Sequence, residues 1–177
     1  MKKLFALMLL TVALPCFSQT TDKDVLLKHW KTSGDLTIAV ANAMPSEGYS
    51  FRPVPAEMSF GELMVHIAAA DRNACANASG LTAPALPAKV GDWTKDLVKA
   101  DVDKETAVQF LQDTFAFCQK AITEMPASNM ATVVGPANRH LMGSEWLWSY
   151  FTHTAHHRGQ AEVYLRLKGI TPPTYAF

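Results

Sequence analysis

His153, His156 and His157 lie within one short stretch near the C-terminus, His153-Thr-Ala-His156-His157-Arg158-Gly159-Gln160. On a helix, positions four apart share a face, so His153 and His157 can address a single ion. His156, three after His153, also stands at a permitted helical spacing. Neutral imidazoles in this arrangement suit a borderline divalent metal such as zinc or nickel. Two histidines do not make a centre, so a third ligand must come from elsewhere in the chain.

The element carrying these histidines is predicted to run from Ser144 to Gly169. It contains no proline, opens on a serine, carries Arg166 and Lys168 in its last turn and meets a natural stop at Gly169. One face reads Tyr150, His153, His157, Gln160, Tyr164, overlapping an apolar stripe of Leu147, Phe151, Ala161 and Leu165. Gly159 in mid-helix costs about 1 kcal/mol relative to alanine. Close approach of a neighbouring helix beside the metal is the expected reason for it. Ile170-Thr-Pro172-Pro173 then forms an exit that cannot continue a helix.

The third ligand is sought on the preceding helices. Ser59 and Glu62 form a capping box ahead of the run SFGELMVHIAAADRNACANAS, whose apolar stripe is Phe60, Leu63, Ile67, Ala74 and Ala78. His66 lies at the margin of that stripe, in a sector shared with Ser59, Glu62, Ala70 and Asn73, where a buried face meets polar groups. His29 and His140 have no partner at ligand spacing and read as surface or boundary residues.

Two further helices complete the pattern. The first is predicted from about Asp22 to Ala43, with Leu26, Trp30, Thr37, Val40, Ala41 and Met44 on one side, Gly34 as an internal weak point and Pro45 as its end. The third carries Val108, Leu111, Phe115, Cys118, Ile122 and Met125, with Asp101 or Asp103 as its cap and Pro126 as its close. Segments 46–58, 80–93 and 127–143 read as connections rich in proline, glycine or alanine, and no strand pattern longer than a few residues is present. Four helices of about 20 residues without strands predict an all-α fold, a single antiparallel four-helix bundle. Which helices are neighbours stays open, because every connection is long enough to cross over.

The first eighteen residues are set apart from this fold. Lys2 and Lys3 precede an apolar run from Leu4 to Leu14, too short to span a bilayer, and small or polar residues follow. This predicts a cleavable signal peptide over 1–18, a domain over 20–177, and an exported, periplasmic or secreted protein. Lipid modification at Cys16 is the minority alternative, because proline precedes that cysteine. Without the two leader lysines, 14 basic residues face 16 acidic ones, a formal net charge of −2. No basic patch suggests nucleic acid, and no segment after the leader suggests stable membrane insertion. In an oxidising compartment Cys75 and Cys118 can pair as a disulfide; two separate buried thiols are the alternative.

The chain resembles the DinB-like family of metal-binding four-helix bundles over nearly its whole length after the leader. Two motifs carry the resemblance: Ser59-Phe60-Gly61-Glu62-Leu63-Met64-Val65-His66-Ile67-Ala68, and His153 to Gln160 followed by Tyr164-Leu-Arg166-Leu-Lys-Gly169-Ile-Thr-Pro172-Pro173. The resemblance implies a three-histidine metal site made by His66, His153 and His157. His157 is preferred to His156 because it directly precedes Arg-Gly-Gln, as the family motif requires.

Three histidines leave a coordination position open, which favours catalysis or ligand capture over structural stapling. Glu62, Gln160 and Tyr164 are candidate helpers, although packing or hydrogen bonding around the ligands is the better account of all three. Family relatives that activate low-molecular-weight thiols imply thiol transfer, but such thiols are mainly cytosolic and export points away from them. Two expectations therefore stand: a metal-dependent hydrolase or transferase acting on a small molecule, or a non-catalytic metal-binding or partner-binding bundle. Trp146 and Trp148 near one end suggest a homodimer.

Overall fold

The computed structural model describes residues 20–90 and 102–175. The expected leader, the end of the loop near Trp93 and the cap offered by Asp101 lie outside the described residues. Four long helices carry the fold: α1 (Asp22–Ala43), α2 (Phe60–Ser79), α3 (Lys104–Glu124) and α4 (Gly143–Leu167). Short 3₁₀ turns occupy Ser46–Gly48 and Ala127–Met130 within the connections. No described helix is long and apolar enough to cross a membrane.

The helix starts follow local capping chemistry. Thr21 accepts the Asp24 N–H and Asp24 accepts the Thr21 N–H, so α1 begins on a full capping box. Ser59 and Glu62 do the same for α2, at 3.2 and 2.7 Å. Asp103 accepts the Thr106 N–H at 2.8 Å and starts α3. At α4 the expectation fails. Met142 is the N-cap, with no side-chain cap, and Ser144 lies inside the first turn.

The core gathers the predicted stripes, including Leu26, Trp30 and Val40 of α1, Phe60, Leu63 and Ile67 of α2, Leu111 and Ile122 of α3, and Leu147 and Leu165 of α4. The first half of α2 is buried on nearly every face, which makes it the central element. Gly34 is a contact point and not a weak point. A Cβ there would stand 2.8 Å from the Phe115 ring, so the missing side chain lets α1 and α3 close together.

Helix direction is read from end-to-end contacts. Lys23, at the start of α1, donates to the carbonyls of Thr123 and Met125 at the end of α3. Lys104, at the start of α3, donates to those of Asn42 and Met44 at the end of α1. These reciprocal lysines satisfy carbonyls that each helix leaves unpaired, and they make α1 and α3 antiparallel. Gly61 meets Val102 at one end and Cys75 meets Cys118 further along, so α2 and α3 run parallel. Tyr164 bonds Met58, and Gly143 approaches Ala78, which makes α4 antiparallel to α2. The bundle is therefore up-down-down-up, with α1 diagonal to α2, rather than antiparallel throughout. The long α2–α3 connection allows this, because it can return the chain along the whole bundle before α3 begins.

Cys75 and Cys118 are joined as a disulfide, both fully buried, linking α2 to α3. The α3–α4 connection also contains two short strands that were not expected. β1 (Val133–Val134) pairs antiparallel with β2 (Leu141–Met142). Two residues per strand are too few for a period-two signal to register in the sequence.

A three-histidine candidate metal centre

The capping box at Ser59 sets where α2 begins, and His66 follows two turns later on the side that meets α4. His153 and His157 rise from the middle of α4 on the same side. Their ring nitrogens converge: His66 Nε2 lies 3.0 Å from His153 Nε2 and 3.2 Å from His157 Nε2. One nitrogen from each residue lies within 4.8 Å of the other two, and no other such metal-ligand cluster occurs among the described residues.

This spacing fits a shared cation. Nitrogens each about 2.0–2.1 Å from one divalent ion lie about 3 Å from one another at ordinary coordination angles. In a neutral imidazole each ring nitrogen either donates one hydrogen or accepts one, so His66 Nε2 cannot make a full hydrogen bond to both neighbours at once. A cation between the three removes that conflict.

The surroundings keep the rings neutral, the form that binds metal. Burial lowers His66 and His153 to about 4, helped in each case by the neighbouring imidazoles. Burial also lowers His157, against the opposing effect of Gln160. Gln160 Oε1 lies 2.7 Å from His157 Nδ1 and can accept its N–H, which directs the Nε2 lone pair toward the centre. His66 Nδ1 and His153 Nδ1 are buried without a hydrogen-bond partner.

The other candidates take different positions. His156 is exposed, its Nε2 3.3 Å from Gln160 Nε2, and it does not join the cluster. His140 is exposed and His29 half-buried, both outside it. Glu62 has both oxygens engaged, one by the Ser59 N–H and the other by Arg52 at 2.5 Å, so it serves as a cap and an ion-pair partner. Tyr164 donates to the Met58 carbonyl at 3.0 Å and ties the end of α4 to the start of α2. Gly159 is exposed with open space where a Cβ would stand, so the close approach expected beside the metal does not occur there.

Two buried polar links, absent from the sequence reading, hold α4 in register. Arg158 Nη1 reaches α1, donating to the Ser33 carbonyl and hydroxyl, with Thr37 Oγ1 at 3.3 Å. Thr154 donates to both carboxyl oxygens of Asp71 on α2, at 2.7 and 2.9 Å, immediately beside His153. The signal for both was present: Asp71 falls within the apolar stripe between Ile67 and Ala74, and Arg158 within that of Ala161 and Leu165. A charged residue on a buried face needs a partner, and only the fold supplies its identity.

Burial pushes the Asp71 carboxyl up to about 8, opposed by the Thr154 hydrogen bond. Its folded pKa is thus raised above the unfolded value, so this contribution to stability is full at low pH and is lost as pH rises toward 8. Asp71→Asn keeps an acceptor for Thr154 and removes the titration. In chelator, the urea midpoint of the parent is expected to fall relative to Asp71→Asn between pH 5 and pH 8.5. A gap between the two proteins that stays constant with pH would refute this assignment.

Comparison with known proteins bears on the fold and the family. No curated protein matches the chain. Among solved structures, a DinB-like protein from Bacillus cereus ATCC 10987 superposes with a TM-score of 0.68 at 20% identity, covering 85% of this chain and 95% of the other. A DinB-like protein from Bacillus subtilis gives a TM-score of 0.64 at 19% identity, covering 85% and 97%. Identities this low establish the shared fold. The model of the DinB superfamily matches residues 29–161, a span that begins in α1 and includes all three clustered histidines. On that match, which spans most of the chain, the chain belongs to the DinB superfamily.

Proposed function

We propose that this is an exported metal-dependent enzyme, a hydrolase or transferase acting on a small molecule at one divalent ion, zinc or nickel, held by His66, His153 and His157. The observation that carries the reading is the convergence of three histidine Nε2 atoms at 3.0 and 3.2 Å. A divalent ion bound by three histidines keeps a position at which it can lower the pKa of a water or take a substrate anion. The protein's part is to keep the three rings neutral by burial, orient His157 through Gln160, and hold α4 in register through Thr154 and Arg158. The buried Cys75–Cys118 disulfide supports export, since such bonds persist in oxidising compartments. A homodimer belongs to the same proposal, supported by the shallow apolar surface that Val25, Met142 and Trp148 share, each exposed. Trp146 takes no part in it, being buried.

One observation favours the non-catalytic reading. Glu62, the carboxylate nearest His66 along α2, is committed to its cap and to Arg52. The test is to strip the protein with chelator, reload it with zinc or nickel, and assay esters, amides, phosphoesters and group-transfer acceptors. Turnover that scales with metal content supports the enzyme. Tightly held metal with no exchangeable water, and no turnover across the panel, would leave a metal-binding or partner-binding bundle.

A further inference from the structure

The chain between α3 and α4 does more than connect them. Pairing of Val133 with Met142 and of Val134 with Leu141 folds the intervening residues back onto α4. Trp146 Nε1 donates to the Val134 carbonyl at 3.2 Å, and the Arg139 N–H donates to the Pro136 carbonyl at 2.9 Å. Gly135 has φ 106°, and a Cβ there would stand 2.8 Å from the Arg139 carbonyl and 3.0 Å from Trp146. Glycine meets both demands, positive φ and close packing.

The product of this local construction is the placement of Arg139. Its guanidinium lies 4.8 Å from the Trp146 ring centroid and 5.5 Å from that of Tyr150, and Nη1 donates to the Tyr150 hydroxyl at 2.9 Å. The two rings are stacked, 5.9 Å apart, and the Tyr150 ring is 5.5 Å from the His153 ring. Trp146, Tyr150 and His153 are spaced four and three apart, so an aromatic ledge along one face of α4 leads from the arginine to the metal centre. Arg139 is exposed, and no carboxylate pairs with it among the described residues.

A guanidinium held over aromatic rings, with one donor engaged, keeps N–H groups in the fork that matches a carboxylate. No second basic side chain is bonded into the ledge, which suits a monoanion better than a phosphate dianion. We infer that Arg139, held by Tyr150 and Trp146, is a positioning residue that recognises the carboxylate of a small-molecule substrate whose reacting end lies at the three-histidine centre. The inference rests on the metal-dependent reading of that centre and adds the class of substrate. A purely structural Arg139 would staple the hairpin to α4, and its loss would affect charged and neutral ligands alike.

The test uses cobalt(II)-loaded protein titrated with mercaptocarboxylates of increasing length, from 3-mercaptopropionate to 6-mercaptohexanoate, beside their methyl esters. Binding is followed by thiolate-to-cobalt absorption, and melting temperature is recorded for every variant. At the best chain length the parent is expected to bind the acid about tenfold more tightly than the ester. Arg139→Gln should abolish that preference while leaving ester affinity within about twofold, and Arg139→Lys should restore part of it. An equal preference in parent and Arg139→Gln, an equal weakening of acid and ester, or no spectral response to either ligand overturns the inference. Protein that takes up no cobalt fails the metal reading itself, and the inference falls with it. Uptake without acid preference removes the inference alone.

Discussion

Replacing His66, His153 or His157 with alanine is expected to empty the metal centre. The parent, purified without chelator or a histidine tag, should carry about one equivalent of divalent metal after dialysis, and each variant close to none. Removing one of three ligands deletes a full metal–nitrogen bond. Even loss of a residue that only orients a ligand lowers metal affinity about 10–100-fold, so the direct losses should exceed that range. His156→Ala is the internal control, because His156 is exposed and outside the cluster, and it should keep its metal. Thermal unfolding provides a second reading. Free metal at about 100 times its Kd stabilises a folded state that alone binds it by about 2.7 kcal/mol, and the three variants should lose that metal-dependent increment. The three rings are only half-buried, so the metal-free variants should still fold. A folded parent that stays empty after added zinc, nickel or cobalt would sink the site, as would equal loss of metal in His156→Ala.

The second large effect concerns the disulfide. Cys75 and Cys118 are 43 residues apart in sequence and join the parallel pair α2 and α3. Closing a loop of that length restricts the unfolded chain by about 4 kcal/mol in the chain-entropy account. Total stability of a domain is about 5–15 kcal/mol, so the bond is a large share of it. Cys75→Ala with Cys118→Ala should therefore lower the melting temperature by roughly 10 °C. A phosphine reductant that opens the bond during unfolding should shift the parent toward the variant and leave the variant unmoved. Two freely alkylated thiols at these positions in the unfolded, unreduced protein would show that the pair does not form. Alanine is the substitution of choice because both sites are fully buried and serine would leave a hydroxyl there without an assured partner.

Features set by residues close together in the chain are legible in the sequence. Asp22–Ala43 matches its predicted bounds, and α2 starts on the expected box, because a cap is settled within three residues and an apolar stripe within a few turns. The pairing of His153 with His157 is local in the same sense, as both follow from one helical period. Failures at short range came where the local signal was ambiguous. Ser144 offered a cap that the chain did not use, because the hairpin delivers Met142 to that position. Gly159 faces open space, and the glycine at a helix contact is Gly34.

The sequence alone determined the four helices, most of the buried stripe and the shared face of His153 and His157 on α4, because these rest on interactions between residues a few positions apart. Periodicity placed His66 only at the edge of a buried face; its membership in the centre came from a family resemblance and then from the packing of α2 against α4. Tertiary structure decided the up-down-down-up order, the partners of Asp71 and Arg158, and the seat of Arg139 on Tyr150. The first two depend on groups brought together across connections long enough to cross the bundle, and a long flexible connection costs little more to close one way than another; the third depends on how the short hairpin before α4 folds back onto that helix. Packing of the whole core makes that choice, and its energy is spread over all four helices and not written in any one segment.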